Sequence, residues 1–315
     1  MSNGNILEFR KATVVVPEPY EFGLEAAELR LEPGELGLVA LERGQGPTPL
    51  AETAQGLIAP VSGEVLFSGK DWSGLAPAEA AAGAPLVFTM VGYPSDVEAT
   101  YYGESGVLDA AGGDAVLVDL TTSDPALARR IAADAAKRGL HALDCPVSGG
   151  DVGARNATLS IMCGGESQAF ERARPLLELM GKNVVLQGPA GSGQATKMCN
   201  QIAIASGMLG VCEAMAYAEK SGLDPESVLT SIEHGAAGSW SLSNLAPRMI
   251  RGDFAPGFYV EHFIKDMRIA EESAKNAGLE APGLALALRM YERLAEQGSA
   301  RQGTQALYRL YRELS

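Results

Sequence analysis

The sequence predicts an α/β architecture: a mostly parallel sheet with helices on both faces, leading through a long linking helix into an all-α C-terminal domain. Short β-rich runs alternate with amphipathic stretches through roughly the first 190 residues, the order of strand-helix-strand units. After Gly193 no convincing strand follows. Between the two regimes, QATKMCNQIAIASGMLGVCEAMAYAEKSGL (194–223) reads as one helix of about eight turns, apolar nearly all round and therefore expected to be buried.

Taken in order, the expected strands are ELGLVAL (35–41), EVLF (64–67), PLVFTMVG (85–92), AVLVDL (115–120), LHALD (140–144), TLSIMC (158–163) and NVVLQ (183–187). The helix DPALARRIAADAAKRG carries its own punctuation: Asp124 at the N-cap, Pro125 at N1 and Gly139 as terminator. Four or five further helices are expected beyond the linking helix, separated by GLDPES, GAAGSW, GDFAPG, GLEAPG and QGSARQG.

Charge narrows the partners. The 315 residues hold 39 acidic and 25 basic side chains, a net charge of -14 that repels nucleic-acid phosphates and anionic lipid. A small-molecule ligand is expected, bound where the surface is made locally positive. Cys145, Cys163, Cys199 and Cys212 form no C-x-x-C and read as buried free thiols of a reducing, cytoplasmic compartment. The N-terminal residues acquire charges at once, and the longest apolar stretch, Ile202 to Cys212, is short for a bilayer, so neither a signal peptide nor a membrane anchor is expected. His141, His234 and His262 have no metal-ligand spacing.

Ligands of such sheets collect at the carboxyl ends of the strands. Four stretches qualify: GYPSDV (92–97), TTSDP (121–125), CPVSGGDVGA (145–154) and GPAGSGQATKMCNQ (188–201). The last is the most informative. Its glycines let backbone N–H groups approach an anion, and the helix that follows favours negative charge at its start. Lys197, one turn into that helix, opposes the helix dipole unless it meets an anion or must titrate easily, and Asn200 and Gln201 share its face. The alternative is a lysine that snorkels to solvent beside structural amides. PVSGGDVGA offers backbone donors and the Ser148 hydroxyl, or else only a glycine-rich turn.

The stretch Val39 to Leu57 has the outline of a nucleotide-binding start, with a strand, a glycine-rich loop and a helix. It contains neither G-x-x-x-x-G-K-[ST] nor G-x-G-x-x-G, and Pro47 and Pro49 remove two N–H donors, so tight nucleotide binding is not expected there.

From about Pro85 onward the chain resembles the β-hydroxyacid dehydrogenases, above all the 3-hydroxyisobutyrate dehydrogenase group. The carrying segments are FTMVGYPSDVEATYYGESGVLDAAGGDAVLVDLTTSDP, LDCPVSGGDVGARNATLSIMCGG, GPAGSGQATKMCNQ and GFYVEHFIKDM, in the family's order. The resemblance implies a Rossmann-type domain, a long helix and an all-α domain that builds a homodimer or homotetramer. It implies oxidation of a small 3-hydroxy acid, or reduction of the aldehyde, with NAD or NADP and no metal. Carried over position by position, Lys197 is the catalytic lysine, and Ser148, Gly149 and Gly150 bind the substrate carboxylate. Asn200 and Gln201 face the substrate, Gln201 standing where the family commonly has Asn. Val91, Gly92, Thr122 and Lys265 contact the cofactor. The family's opening strand and G-x-G-x-x-G are missing, and residues 1 to about 80 instead resemble the start of an ATP-binding cassette ATPase whose phosphate loop is degraded. The expected division is a cassette-like segment over 1–82, the rest of the Rossmann-type domain over 83–190, and a helical substrate and oligomerisation domain over 191–315. A non-catalytic scaffold or small-anion-binding pseudoenzyme is the alternative function.

Overall fold

In a computed structural model of the protein, residues 7–16, 22–31, 62–67, 70–71 and 76–313 are described. The chain divides into two compact units, Met1–Ala80 and Ala81–Ser315. In the first, β1 (Leu7–Val16), β2 (Phe22–Leu31), β3 (Ser62–Phe67) and β4 (Lys70–Asp71) form an antiparallel sheet in the order β2-β1-β3-β4. The expected run 64–67 falls in β3, whereas the expected strand 35–41 and the glycine-rich stretch 39–57 lie outside the described residues.

The short helix α1 (Pro77–Ala81) ends at the first residue of the second unit. The sheet of that unit contains β5 (Leu86–Thr89), β6 (Val116–Asp119), β7 (His141–Asp144), the two-residue β8 (Val147–Ser148), β9 (Leu159–Gly164) and β10 (Gly181–Gly188). The order is β10-β9-β7-β6-β5, with β8 paired to β9. The β5, β6 and β7 strands are parallel, as expected of a Rossmann-type sheet. The β9 and β10 strands are parallel to each other but run opposite to β7. That reversal follows from the connection: β8 continues the line of β7, and after one short helix at Gly150–Arg155 the chain returns as β9, antiparallel to both. Every side chain of β6 is buried, as a central strand covered on both faces requires.

Helices α2 (Pro94–Tyr102), α3 (Val107–Ala110), α4 (Pro125–Ala136), α5 (Gly150–Arg155) and α6 (Ser167–Met180) accompany the sheet. The punctuation of α4 is as expected: Asp124 accepts from the Ala126 N–H at 3.0 Å, Pro125 stands at N1, and Gly139 turns the chain at φ +73°.

The linking helix α7 (Ser192–Lys220) leads into α8 (Pro225–Ile232), α9 (Trp240–Asn244), α10 (Ala246–Ile250), α11 (Val260–Asn276), α12 (Pro282–Leu294) and α13 (Leu307–Glu313). One side of α7, with Met198, Met208 and Met215, is buried in the core that also holds Phe263, Tyr291 and Tyr308. The expectation of burial all round is corrected here. Ala195, Cys199, Ala203, Gly207, Gly210 and Tyr217 form an exposed stripe, so Cys199 is exposed while Cys145, Cys163 and Cys212 are buried. A composition apolar on both sides gives no moment from which to pick the covered face. By length and composition alone α7 could cross a bilayer, but half of its apolar window is buried inside the protein, as in a core helix.

Candidate active site

The parallel register aligns Thr89, Asp119 and Asp144 at the carboxyl ends of β5, β6 and β7. Asp119 is buried, accepts from the Thr121 N–H at 3.1 Å and faces the Thr89 hydroxyl at 3.2 Å. Burial pushes its carboxyl up to about 6, against the pull of those hydrogen bonds.

Asp144 decides the reading of the glycine-rich loop before α7. Its two carboxylate oxygens accept from the Gly191 and Gln194 N–H groups, each at 2.7 Å. The helix start therefore already holds an anion, supplied by the protein itself, and the expectation of a ligand bound by those amides is corrected. Gly191 adopts φ +87°, and a Cβ at Gly193 would collide with the carbonyl oxygens of Asp144 and Met162. Gly193 permits the helix to press against the sheet, and Gly191 lets the turn before it pass close to Pro125 and Arg129 of α4.

One turn on, Lys197 is 6% exposed, which excludes the snorkelling alternative. Its Nζ donates to Val147 O at 2.8 Å, beside Ser148. Burial lowers the amine from 10.5 to about 8; Asp266 opposes that shift and Lys265 adds to it. Gly149 (φ +136°) and Gly150 (φ +62°) follow Ser148 in conformations that favour glycine, and a Cβ on Gly150 would lie 3.4 Å from Gly257 O.

A second chain of contacts crosses from α7 to α11. Asn200 Nδ2 donates to Gln201 Oε1 at 2.7 Å, and Gln201 Nε2 donates to Asp266 Oδ2 at 2.6 Å. Lys265 Nζ lies 3.0 Å from Asp266 Oδ1 and donates to Gly92 O (3.0 Å) and Thr122 O (3.1 Å). The Val91 N–H donates to Thr121 Oγ1 at 2.9 Å. Hydrogen bonds and the Lys265–Asp266 ion pair thus link Val91 (through Thr121), Gly92, Thr122, Lys265, Gln201 and Asn200, and Val147 ties the Ser148 loop to Lys197. Tyr93 and Tyr259 set ring edges against His262, 6.1 and 5.6 Å between centroids. His141 lies between Asp114 and Glu166, 3.1 Å from each, and belongs to a surface cluster.

Sequence reasoning did not nominate Asp144, Gln194 or Asp266. The signal for Asp266 was its place directly after Lys265 in GFYVEHFIKDM, where the lysine alone was singled out. Asp144 ends a strand that runs into the Ser148 loop, which is the position inspected for ligands; it binds backbone instead.

The strand ends of β5 and β6 fit the nicotinamide side of a dinucleotide. Backbone at 91–92 and 121–122 is fixed by internal contacts, Tyr93 is 42% exposed beside it, and Lys265 spans both loops. For the pyrophosphate the 315 residues contain no G-x-G-x-x-G.

Residues 72–188 match the family described as the NAD binding domain of 6-phosphogluconate dehydrogenase, and residues 191–311 the family described as NAD-binding of NADP-dependent 3-hydroxyisobutyrate dehydrogenase. The chain belongs to the β-hydroxyacid dehydrogenase family. An uncharacterised oxidoreductase of Bacillus subtilis, YkwC, is 62% identical over 228 residues, 72% of this chain and 79% of the relative. The 2-hydroxy-3-oxopropionate reductase of Escherichia coli is 38% identical over 222 residues, 70% of this chain and 76% of the relative. Among solved structures, 3-hydroxyisobutyrate dehydrogenase of Mycobacterium tuberculosis, determined with L-serine, superposes with a TM-score of 0.69 at 32% identity, covering 76% of this chain and 83% of that one. Membership makes the chain an NAD(P)-binding dehydrogenase with a Rossmann-type sheet and a helical C-terminal domain. The family match begins at residue 72, so residues 72 to about 80 of the segment expected to be cassette-like fall within it, and the cassette-like expectation for the rest is not shown.

Proposed function

We propose that this family member oxidises the hydroxyl of a small 3-hydroxy acid, or reduces the corresponding aldehyde, with Lys197 as acid and base. The observation that carries the reading is a buried amine lowered to about 8 and hydrogen-bonded beside the Ser148 loop. A small hydroxy acid also accords with the names of the relatives, a 2-hydroxy-3-oxopropionate reductase and a 3-hydroxyisobutyrate dehydrogenase solved with L-serine.

In this reading Ser148, Gly149 and Gly150 take the substrate carboxylate. Asn200 and Gln201 orient the substrate from α7, with the Gln201 amide anchored on Asp266. Val91, Gly92, Thr122 and Lys265 hold the dinucleotide, which when bound supplies the hydride acceptor. Lys197 takes the hydroxyl proton in its neutral form; in the reverse direction its ammonium returns that proton to the carbonyl oxygen. Burial keeps competing water from the amine. The helical domain is proposed to form a homodimer or homotetramer, in a cytoplasmic setting.

Titration with NADH and NADPH by calorimetry, followed by turnover of small 3-hydroxy acids, tests this. Activity is expected to rise with pH through about 8 in the oxidative direction. Unchanged turnover in Lys197→Ala would overturn the catalytic assignment. The missing G-x-G-x-x-G favours one other reading, a non-catalytic scaffold that keeps the anion pocket; no heat with millimolar dinucleotide and no turnover would support it.

A further inference from the structure

Gln194 stands three positions before Lys197 on α7, on the same face of the helix, and is fully buried. Both ends of its amide are used. Nε2 donates to Thr121 O at 2.7 Å, and Oε1 accepts from the Ser123 N–H at 2.9 Å, so the two contacts bracket Thr122. Thr122 O is held in turn by Lys265 from α11. Thr121 carries the connection onward, because its hydroxyl accepts the Val91 N–H and its own N–H is fixed on Asp119. A continuous run of hydrogen bonds therefore leads from the first turns of α7, through residues 121–123, to the loop that follows β5.

We propose that Gln194 is a positioning residue: through the 121–123 loop and Val91 it sets where the nicotinamide side of the dinucleotide lies relative to Lys197. The inference rests on the reading that Val91, Gly92 and Thr122 face the cofactor. Helix geometry makes the coupling direct, since three residues of α-helix separate Lys197 from Gln194, about 4.5 Å along the axis. A carboxamide suits this junction because it offers a donor to Thr121 O and an acceptor to the Ser123 N–H in one plane. A protonated carboxylic acid preserves both roles. A carboxylate loses the donor and repels Thr121 O, and a thioether of similar length provides neither bond.

Full-length wild type, Gln194→Glu and Gln194→Met distinguish these cases through two readouts. Amide hydrogen exchange of segments 89–92 and 119–124, without any dinucleotide, tests the tie itself. Exchange in both is expected to quicken by roughly tenfold or more in Gln194→Met, the scale of losing two buried hydrogen bonds. Helix α13 should exchange as in wild type. Gln194→Glu should behave like wild type while its carboxyl is protonated and like Gln194→Met once it ionises, a pH-dependent rescue that a purely space-filling role would not produce. The second readout is NADH and NADPH affinity, expected to weaken about tenfold in Gln194→Met and to follow pH in Gln194→Glu.

Wild-type exchange rates in Gln194→Met would overturn the proposal whatever the dinucleotide does. Faster exchange with unchanged dinucleotide affinity would also overturn it, leaving Gln194 a support for the loops alone. Failure of wild type to bind either dinucleotide would overturn the cofactor reading and the positioning role with it, while the exchange rates would still show separately whether Gln194 holds the loops.

Discussion

Lys197→Met should make the protein more stable near neutral pH, although it removes the residue on which the proposed chemistry depends. The folded amine titrates at about 8 against an ordinary 10.5, and burial is the main cause. At about 1.36 kcal/mol per pH unit, this lowering corresponds to a penalty of roughly 3 kcal/mol carried by the ammonium in the folded state. Methionine fills a similar volume without that penalty but leaves Val147 O without its 2.8 Å donor, which costs about 1 kcal/mol or somewhat more. The net expectation is a gain of about 2 kcal/mol at pH 7. The pH dependence has a definite sign. Below about 8 both folded and unfolded lysine are charged, so the penalty is complete; between about 8 and 10.5 the folded amine is neutral while the unfolded one is still charged, and wild type recovers stability as pH rises. Urea unfolding followed by circular dichroism at 222 nm reports mainly the helices of the second unit. The advantage of Lys197→Met should be clear at pH 7 and should vanish or reverse near pH 10.5. A variant less stable than wild type at pH 7 would refute the account of a strained, desolvated ammonium.

The same logic with the opposite group applies to Asp119→Asn. The buried carboxyl titrates at about 6 against 3.8, a penalty of up to about 3 kcal/mol that is complete above pH 6 and disappears as pH falls through 3.8. Thermal melts should therefore show the variant stabilised at pH 8 and level with wild type at pH 3.8 or below, if the Thr89 and Thr121 contacts survive in the amide. Gly193→Ala should abolish stable folding or lower the melting temperature sharply, since its methyl meets two backbone carbonyl oxygens that cannot rotate away; a melt within a few degrees of wild type would show that α7 can lift off the sheet. Gln201→Asn shortens the side chain and should break the 2.6 Å contact with Asp266, removing a partner from the carboxylate that opposes the shift of Lys197. The proposed turnover should then move its pH midpoint, and an unchanged midpoint would argue that Asp266 acts through Lys265 alone.

Local chemistry was legible in the sequence wherever the partners are close along the chain. Asp124, Pro125 and Gly139 punctuate α4 within sixteen residues, and the burial of β6 is announced by the four consecutive apolar residues Ala115 to Val118. Lys197 was legible as well, because a cation one turn into an apolar helix contradicts the helix dipole and calls for a reason. The direction of β9 was not. Alternation of side chains reports faces, not the sense of pairing, and the reversal depends on β9 folding back on β7 and β8 after only residues 149–158. The glycine-rich loop before α7 shows the same limit at the site. Its donors are visible in GPAGSGQ, but the carboxylate that satisfies them, Asp144, lies 47 residues upstream of Gly191. Likewise Gln201 and Asp266 are 65 residues apart, and Gln194 and Thr121 are 73 apart. A motif can therefore advertise a capacity that the fold has already spent internally. In this protein the first turns of α7 are occupied by the sheet: Asp144 takes the amides and Gln194 takes the 121–123 loop. Thr196 bonds back to Ser192 O within the helix; beyond it come Lys197 and the amides of Asn200 and Gln201, and the Lys197 amine lies against the Ser148 loop through Val147. The proposed division of labour along a single helix, with anchoring in the first turn and the proposed chemistry in the second and third, follows from which polar groups the sheet leaves uncovered.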